Sequence, residues 1–570
     1  MKITFIHSPE NYYDQNYGTL FVPLWAYYLA SYLPDGWDPV IVDCRIEDPI
    51  TFGPANVFAF SGINQDLSSI NRTWKLLKDR YPEATFILGG PITWSFEQEC
   101  KLDLIDHFDH IFILDGEETL PRFLDELSTG DQSSKVIRSE RVSLELARKI
   151  RFDLLDPKAH YYYGAVLEVS RGCPFLCEFC DIRVLPGNNR TNTKDISLII
   201  EEIDEYAKRG IEKFQLACDN FIGDIQWSDR CLDAMLDWKQ RNNADVSFFT
   251  WLTINLYKLP DQLRKMRECG FNTLFIGIES VNANSLLETA KVQNLNVLED
   301  AVETIHSYGF IIAPGFIFGF DSDTETVFED TLEFMKKTGV IGGDPSFLMA
   351  LAGTPLYKRM HDSGRLIERN GEEGIERRKI QTNIRYLQDK DFLVQGFLDF
   401  ITHYADAKYQ YQRLMNHIDL MVSRGDYVES GTSSGYASPW LYLRLQASKS
   451  FYRKMLFRRI RYMLTPSRTW FASMAFFQVW RQSRRHSTNF FSNYFYWLYA
   501  WTNLALKYEG LTERDFDLHS VGEHFDLSKL MPHRHAAELK DQEQRDGVKA
   551  TTQSKFTDRA LRHLVEDGAV

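Results

Sequence analysis

The chain has 570 residues, of which 44% are hydrophobic and 25% are charged. This composition indicates a globular protein of about two to four domains with a large buried core. The formal net charge of −14 disfavours a general nucleic-acid binder, because neutralising phosphates requires clustered Lys and Arg. The first residues form a β-rich run without a signal-peptide pattern, which predicts a cytoplasmic location.

Residues 1–125 alternate short β-rich runs with amphipathic segments, which is the pattern of a parallel sheet covered by helices. The predicted strands are residues 3–7, 40–43, 57–61, 85–88 and 111–114. Three of these strands end at small or acidic residues. These residues are Ser61 and Gly62 at the end of the third strand, Gly89 and Gly90 after the fourth, and Gly116 and Glu117 after the fifth. In a doubly wound sheet, ligands bind beyond the carboxyl ends of the strands, so these turns predict a site for a flat or phosphate-bearing cofactor. The competing interpretation is a domain that has lost its cofactor and only packs against its neighbour.

Residues 126–160 are polar and charged, which indicates a linker, and a predicted strand at residues 165–169 then leads into a loop with Cys173, Cys177 and Cys180. Thiolates at this CxxxCxxC spacing can hold three irons of an iron–sulfur cluster and leave the fourth iron open. Zinc is the competing interpretation, but structural zinc sites usually gather two separated ligand pairs, and no second pair is near. A disulfide is disfavoured because three is an odd number and the other five cysteines are scattered.

From residue 161 to about residue 365, strands and helices alternate again. The predicted strands are residues 213–217, 247–252, 273–277 and 315–318, and the predicted helices between them include 196–209, 260–268 and 297–308. This alternation predicts a parallel barrel whose chemistry lies at the carboxyl ends of the strands. The candidate residues at those ends are Asp219, Asn220, Glu279, Gly315 and Gly319. Each also has a purely structural interpretation, as a strand terminator, a cap or a close backbone contact.

Beyond residue 365 the strand signals fade, which predicts a helical domain at 366–533, with one long helix at 389–421, and a polar tail at 534–570. Residues 430–508 contain twelve Lys or Arg and no Asp or Glu, so the rest of the chain sums to −26. Aromatic residues alternate with these cations. They form the core of a helical domain, a surface for peripheral membrane contact through residues 440–508, or a region that captures a lipid-like substrate. No transmembrane span is expected, because the longest apolar stretch, 494–506, is shorter than the roughly twenty residues required.

The cysteine loop, with the aromatic Phe179 just before its last cysteine, resembles the radical S-adenosylmethionine (SAM) superfamily. The resemblance implies a four-iron four-sulfur cluster on the three cysteines, SAM on the open iron, and a partial six-unit barrel. An electron from the cluster cleaves SAM to a 5'-deoxyadenosyl radical in that superfamily. The resemblance also implies a SAM site that consists of Phe179, Asp219, Asn220, Glu279, Gly315 and Gly319.

The first 125 residues resemble the cobalamin-binding domain that precedes many radical SAM enzymes, through the Gly-Gly-Pro turn and the Asp-Gly-Glu-Glu after the last strand. The resemblance implies cobalamin contacts from Ser61, Gly62, Gly89, Gly90, Gly116 and Glu117. No DxHxxG motif is present, so no histidine ligand from that motif is expected. The C-terminal third loosely resembles the helical region of radical SAM proteins of the hopanoid and bacteriochlorophyll type.

The expected fold is α/β, with a doubly wound Rossmann-like cobalamin-binding domain (1–125), a linker (126–160), a partial (β/α)6 TIM-like radical SAM barrel (161–365) and a mostly helical C-terminal domain (366–533). The implied activity is methyl transfer to an unactivated carbon of a small molecule, hydrophobic or anionic, with methylcobalamin as the methyl source. A flavodoxin or ferredoxin is the expected reductant, and no nucleic-acid partner is expected. Cyclisation, ring contraction and oxygen insertion are the enzymatic alternatives, and an iron–sulfur binding or sensor protein is the alternative of another class.

Overall fold

The computed structural model describes residues 1–10, 20–131, 133–367, 380–432, 450–522 and 524–526. The predicted polar tail at 534–570 and residues 440–449 of the predicted membrane-contact region lie outside the described residues. The strands are β1 Lys2–His7, β2 Phe21–Val22, β3 Asp38–Asp43, β4 Val57–Ser61, β5 Thr85–Gly89, β6 His110–Ile113, β7 Val136–Arg138, β8 Gly164–Glu168, β9 Ser170–Arg171, β10 Asn192–Thr193, β11 Lys213–Ala217, β12 Ser247–Leu252, β13 Phe271–Glu279, β14 Ile311–Phe318, β15 Asp344–Phe347, β16 Ile380–Tyr386 and β17 Phe516–Ser520.

The α-helices fall between these strands and dominate the C-terminal third. They are Leu24–Leu29, Leu67–Arg80, Pro91–Gln98, Thr119–Thr129, Phe152–Leu155, Ile196–Lys208, Ile225–Asn242, Pro260–Cys269, Ala283–Glu288, Leu298–Ser307, Val327–Lys337, Pro355–Asp362, Lys390–Tyr404, Ala407–Ser423, Ser450–Met463, Pro466–His486 and Phe491–Lys507. Among the described helices, none combines the length and the apolar character needed to span a membrane.

The first sheet is parallel and has the order β3-β1-β4-β5-β6-β7. The direction of strand addition reverses between β1 and β4, which is the switch point at which doubly wound sheets bind ligands. Apolar residues of both faces are buried, as expected for a sheet with helices on both sides. The doubly wound prediction is therefore confirmed. Val136–Arg138, inside the segment predicted as a linker, extends this sheet as its last strand.

The second sheet is also parallel and has the order β15-β14-β13-β12-β11-β8-β2. Six of its strands, from β8 to β15, follow one another along the chain with helices between them, which matches the predicted six-unit partial barrel. The seventh, β2, comes from the N-terminal region and pairs in parallel with β8, Phe21 opposite Gly164. Because β2 has only two residues, it is too short to show the alternation that identifies a strand in a sequence, and the sequence analysis did not predict it.

The C-terminal third differs from the prediction in two ways. The long helix predicted at 389–421 is two helices, because Asp406 interrupts it and its side chain accepts a hydrogen bond from the backbone N–H of Tyr409, capping the second helix. The region also contains β16 and β17, which pair in parallel although they lie far apart in the chain. Trp497 and Trp501 are fully buried, so this part of the aromatic region forms a helical core, as one of the three interpretations predicted.

Candidate active site

The three cysteines lie on the loop that follows β9, at the carboxyl end of the first barrel strand. Gly172 enters the loop with φ 94°, and a Cβ there would collide with the backbone oxygen of Arg190, so only glycine fits. Cys177 is buried, and Cys173 and Cys180 are half-buried. Burial raises the pKa of the Cys173 thiol to about 11 and that of Cys180 to about 12. A raised pKa makes the thiolate harder to form. Because metal ligation requires the thiolate, the binding of the metal must supply the free energy of deprotonation.

The cysteine loop is held by hydrogen bonds from several directions. The backbone N–H of Cys173 donates to Asn188 O at 3.0 Å, and the Asp219 carboxylate accepts from the N–H of Gly172 at 2.5 Å. Asn220 is 1% exposed and accepts from the N–H of Thr253. Asp219 and Asn220 therefore support the loop and its neighbouring strand end, and the structure brings both to the predicted rim.

A buried lysine that sequence reasoning missed lies beside the cysteines. Lys291 Nζ is 2.9 Å from Glu279 Oε1. Burial alone would lower the pKa of Lys291, but the Glu279 carboxylate and then Cys177 act against it, and the net pKa is raised above its ordinary value. Lys291 is thus a fixed cation between a carboxylate and the thiols. Nothing in its local sequence marks it, because its position follows only from the packing of the barrel.

Glu279 ends β13 in a left-handed conformation, φ 66°, which is strained for a non-glycine residue. A Cβ on Gly277 would collide with its carboxylate, and a Cβ on Gly315 would lie 3.7 Å from Glu279 Oε2. These two glycines leave room for the carboxylate at the rim. Gly319 has a different neighbour: a Cβ there would lie 2.5 Å from the Tyr386 ring, so the structure accounts for Gly319 by packing against β16.

Several buried polar atoms have no hydrogen-bond partner among the described residues, and Asn220 Nδ2 and Gln293 Oε1 near the cysteine loop are two of them. Gln293 donates through Nε2 toward the Cys177 sulfur at 3.7 Å. Phe179 packs against the barrel core with its ring 6.3 Å from that of Phe320. Unsatisfied buried polar atoms are rare in native proteins, and a bound polar ligand is one of the explanations they call for.

A cavity of about 1730 Å³ extends from the carboxyl edge of the first sheet to the cysteine loop. Its lining includes five of the six residues predicted for cobalamin, namely Ser61, Gly89, Gly90, Gly116 and Glu117. Gly62 does not line it. A Cβ on Gly62 would lie 2.7 Å from Ile70, so this glycine is explained by helix packing instead.

Arg171 joins the two sheets between this cavity and the cysteines. Its guanidinium lies 2.9 Å from Asp115 and 2.8 Å from Glu117, both on the loop after β6, and 2.7 Å from Glu168 of β8. The side chain of Arg171 is 14% exposed and Glu117 is 3% exposed, so the network is largely dry. Sequence reasoning missed Arg171, although its position directly before Gly172 and Cys173 was a signal.

Residues 167–335 match the family described as the Radical SAM superfamily. The chain therefore contains a radical SAM domain. A radical SAM domain implies a four-iron four-sulfur cluster and SAM. The residues fit that donor set, because three thiols lie on one loop beside the cation of Lys291 and the unsatisfied polar atoms described above. No group of three or more His, Cys, Asp or Glu within the described ranges is arranged to hold a single metal ion.

The chain is similar to curated methyltransferases along much of its length. It is 28% identical to the hopanoid C-2 methylase of Rhodopseudomonas palustris (strain TIE-1), over 69% of this chain and 72% of that protein. It is 29% identical to an uncharacterized methyltransferase of Synechocystis, over 61% of this chain and 64% of that protein. Its fold is similar to that of the cobalamin-dependent SAM radical enzyme OxsB, solved with aqua-cobalamin and SAM bound. The TM-score is 0.56 and the identity is 13%, over 99% of this chain and 84% of that chain.

Proposed function

We propose that the protein is a cobalamin-dependent radical SAM methyltransferase that acts at an unactivated carbon. The observation that carries the proposal is the cavity of about 1730 Å³, which is lined by the turns of the first sheet and by Asp181 and Leu185 of the cysteine loop. It exceeds the usual size of a pocket for one drug-sized molecule. The cavity therefore has room for a large cofactor beside the cluster loop, and the relatives with 28% and 29% identity are named as methylating enzymes.

In this proposal Cys173, Cys177 and Cys180 hold three irons of the cluster. Glu279 and Lys291 bind the polar groups of SAM, and the backbone at Gly315 lies open beside them. When bound, the cluster supplies an electron and cobalamin supplies a methyl carrier, while the protein supplies position and electrostatics.

The chain also provides a wall that excludes water from the cofactor cavity. This wall consists of apolar side chains on one face of the first sheet, each at most 6% exposed: Phe5, Ala59, Ile87 and Phe112. Gly90 has φ 88°, and a Cβ there would collide with the Ser61 hydroxyl, so the turn after β5 lies directly against the end of β4. The backbone can therefore approach a flat ligand closely at Ser61, Gly89 and Gly90.

The proposal includes a small hydrophobic or anionic substrate and a flavodoxin or ferredoxin as reductant. It also includes a cytoplasmic location with peripheral membrane contact through residues 440–508, of which the structure describes 450–508.

Anaerobic purification with cobalamin supplied tests the cofactor part of the proposal. We expect about four irons and one cobalt per chain, followed by a product about 14 Da heavier than its substrate for each methyl transfer. Gly116 lines the cavity, and a Cβ there meets only Leu29, at 3.4 Å. Gly116→Phe should therefore lose cobalt and retain iron, whereas the control Gly116→Ala should retain both. Iron without cobalt in the unmodified protein would refute cobalamin-dependent methyl transfer.

A further inference from the structure

Exposed apolar side chains are concentrated in one short part of the molecule. Fourteen large hydrophobic residues are exposed in the described chain, and seven of them lie between residues 457 and 480. They are Phe457, Ile460, Leu464, Trp470, Phe476, Phe477 and Trp480. Scattered exposed apolar residues are normal, but a concentration of this kind marks an interaction site.

Three of these residues share one face of the helix Pro466–His486. Trp470, Phe477 and Trp480 are spaced by seven and three residues, and both spacings place side chains on the same side of a helix. Trp470 is 64% exposed and Phe477 is 69% exposed, whereas Ala475 and Val479 are fully buried in a core shared with the Ala407–Ser423 and Phe491–Lys507 helices. The helix thus uses one face for the protein core and presents the other, aromatic face to its surroundings.

Basic residues accompany this aromatic face. Arg481, Arg484 and Arg485 are exposed at the end of the same helix, and the Arg484 guanidinium lies over the Trp480 ring at 5.2 Å. The preceding helix, Ser450–Met463, adds exposed Arg453, Lys454 and Arg461. Because residues 430–508 contain no Asp or Glu, the face has one sign of charge although the whole chain is acidic.

We propose that this face, made of Trp470, Phe477, Trp480, Arg481, Arg484 and Arg485, docks the protein on the surface of an anionic lipid bilayer. Tryptophan and phenylalanine enter the boundary between headgroups and acyl chains, and arginines above it meet anionic headgroups. Single-stranded nucleic acid also uses aromatic and basic residues, but it binds in a groove, whereas this face is the outer side of a helix. The inference rests on the membrane contact included in the proposed function and assigns that contact a surface.

Vesicle flotation of the full chain tests the proposal without requiring catalysis. The probes are vesicles of phosphatidylcholine alone and vesicles of phosphatidylcholine with phosphatidylglycerol. We expect binding to the anionic vesicles that weakens as salt is added. The triple change Arg481→Gln, Arg484→Gln and Arg485→Gln should weaken binding on the order of 100-fold. The triple change Trp470→Ser, Phe477→Ser and Trp480→Ser should weaken it at least about tenfold.

The matched control changes one exposed apolar residue and two exposed arginines outside this face: Leu146→Ser, Arg241→Gln and Arg264→Gln. This control should bind like the unmodified protein. Equal loss in the control, equal binding to neutral vesicles, or no vesicle binding would overturn the proposal. It would also be overturned if the protein bound single-stranded RNA instead, or if the aromatic variant only dissociated a dimer in light scattering. These readouts do not depend on methyl transfer, so failure of the enzymatic proposal is distinguishable from failure of this one.

Discussion

Arg359 donates two hydrogen bonds of 2.9 Å to the carboxylate of Glu178, which lies between Cys177 and Cys180. The same guanidinium donates to Asp321 at 2.7 Å and to Glu288 at 3.3 Å. Arg365, which is 1% exposed, pairs with Asp321 through both of its Nη atoms. The cysteine loop is therefore tied to the Pro355–Asp362 helix by a buried ionic network.

Arg359→Gln should destabilise the protein and the cluster loop together. The change removes a cation that Glu178, Glu288 and Asp321 share in a buried site. Removing one partner of a buried ion pair lowers the free energy of unfolding by about 3 to 5 kcal/mol. Urea unfolding of the anaerobically purified protein measures the free energy of unfolding, and iron analysis measures cluster occupancy. The control is Lys358→Gln, whose side chain is 66% exposed and pairs with Asp362 on the surface. If both variants behaved alike, Arg359 would have no special role in holding the loop.

Lys291→Gln should weaken SAM binding without removing the cluster. The change removes a buried cation beside Glu279 and Cys177, and hydrogen bonds to charged groups contribute about 1.5 to 3 kcal/mol. We therefore expect SAM affinity about 10- to 100-fold lower, measured by anaerobic calorimetry, with unchanged iron content. Lys265→Gln, on an outer helix of the barrel, should retain full affinity. Unchanged SAM affinity in the Lys291 variant would show that this lysine only packs.

Cys173→Ala, Cys177→Ala and Cys180→Ala should each remove the cluster. An iron–sulfur cube of this type depends on all three thiolates of its loop, so iron content and visible absorbance should both fall to near zero. Cys231→Ala is the matched control, because Cys231 is a fully buried thiol on the Ile225–Asn242 helix and not on the cysteine loop. It should retain iron at the level of the unmodified protein. Retained iron in any of the three loop variants would contradict the assignment of that cysteine.

His306 should make stability depend on pH below neutrality. Burial lowers the pKa of His306 from 6.5 to about 4, and the Phe310 carbonyl that accepts from its Nδ1 raises it only partly. His417, whose ring is 4.5 Å away, also has a lowered pKa because it is buried. Between pH 6.5 and pH 4 the unfolded chain binds a proton that folded His306 does not, so stability is present above this window and is lost as the pH falls through it.

The His306 contribution is measurable as a difference between two proteins. From pH 7 to pH 5 the unmodified protein should lose about 2 kcal/mol more unfolding free energy than His306→Gln. Urea unfolding at the two pH values gives both free energies, and subtraction removes the other titrating groups. Parallel losses in the two proteins would show that His306 does not titrate as its burial implies.

Sequence patterns were sufficient for the features that depend on residues close together in the chain. The predicted strands at 57–61, 213–217 and 247–252 match β4, β11 and β12. Their apolar and β-branched residues and the turns that bound them are local signals, and burial alternates along β11 and β12. The Asp389–Met421 prediction was wrong as a single helix, since the cap at Asp406 was not weighed against the apolar pattern. The pairing of β16 with β17 was missed because each strand is completed only by the distant other.

In the candidate site too, some features follow from residues close together in the chain and others from distant residues that the fold brings together. The spacing of Cys173, Cys177 and Cys180 places three thiols on one loop whatever the rest of the chain does, and the radical SAM domain that this spacing predicted is confirmed. The roles of the individual SAM and cobalamin residues remain predictions. Lys291, Arg171 and Arg359 have no motif of their own, and each acquires its significance from carboxylates that the fold brings to it.

By itself the sequence determined the fold class, the cysteine motif and the local excess of basic and aromatic residues. Only the tertiary structure decided which of those aromatic residues are core and which are surface: Trp497 and Trp501 are fully buried, whereas Trp470 and Trp480 are exposed. The physical reason is that a motif or a composition is a property of neighbouring residues. Burial and charge pairing instead depend on which distant segments pack together.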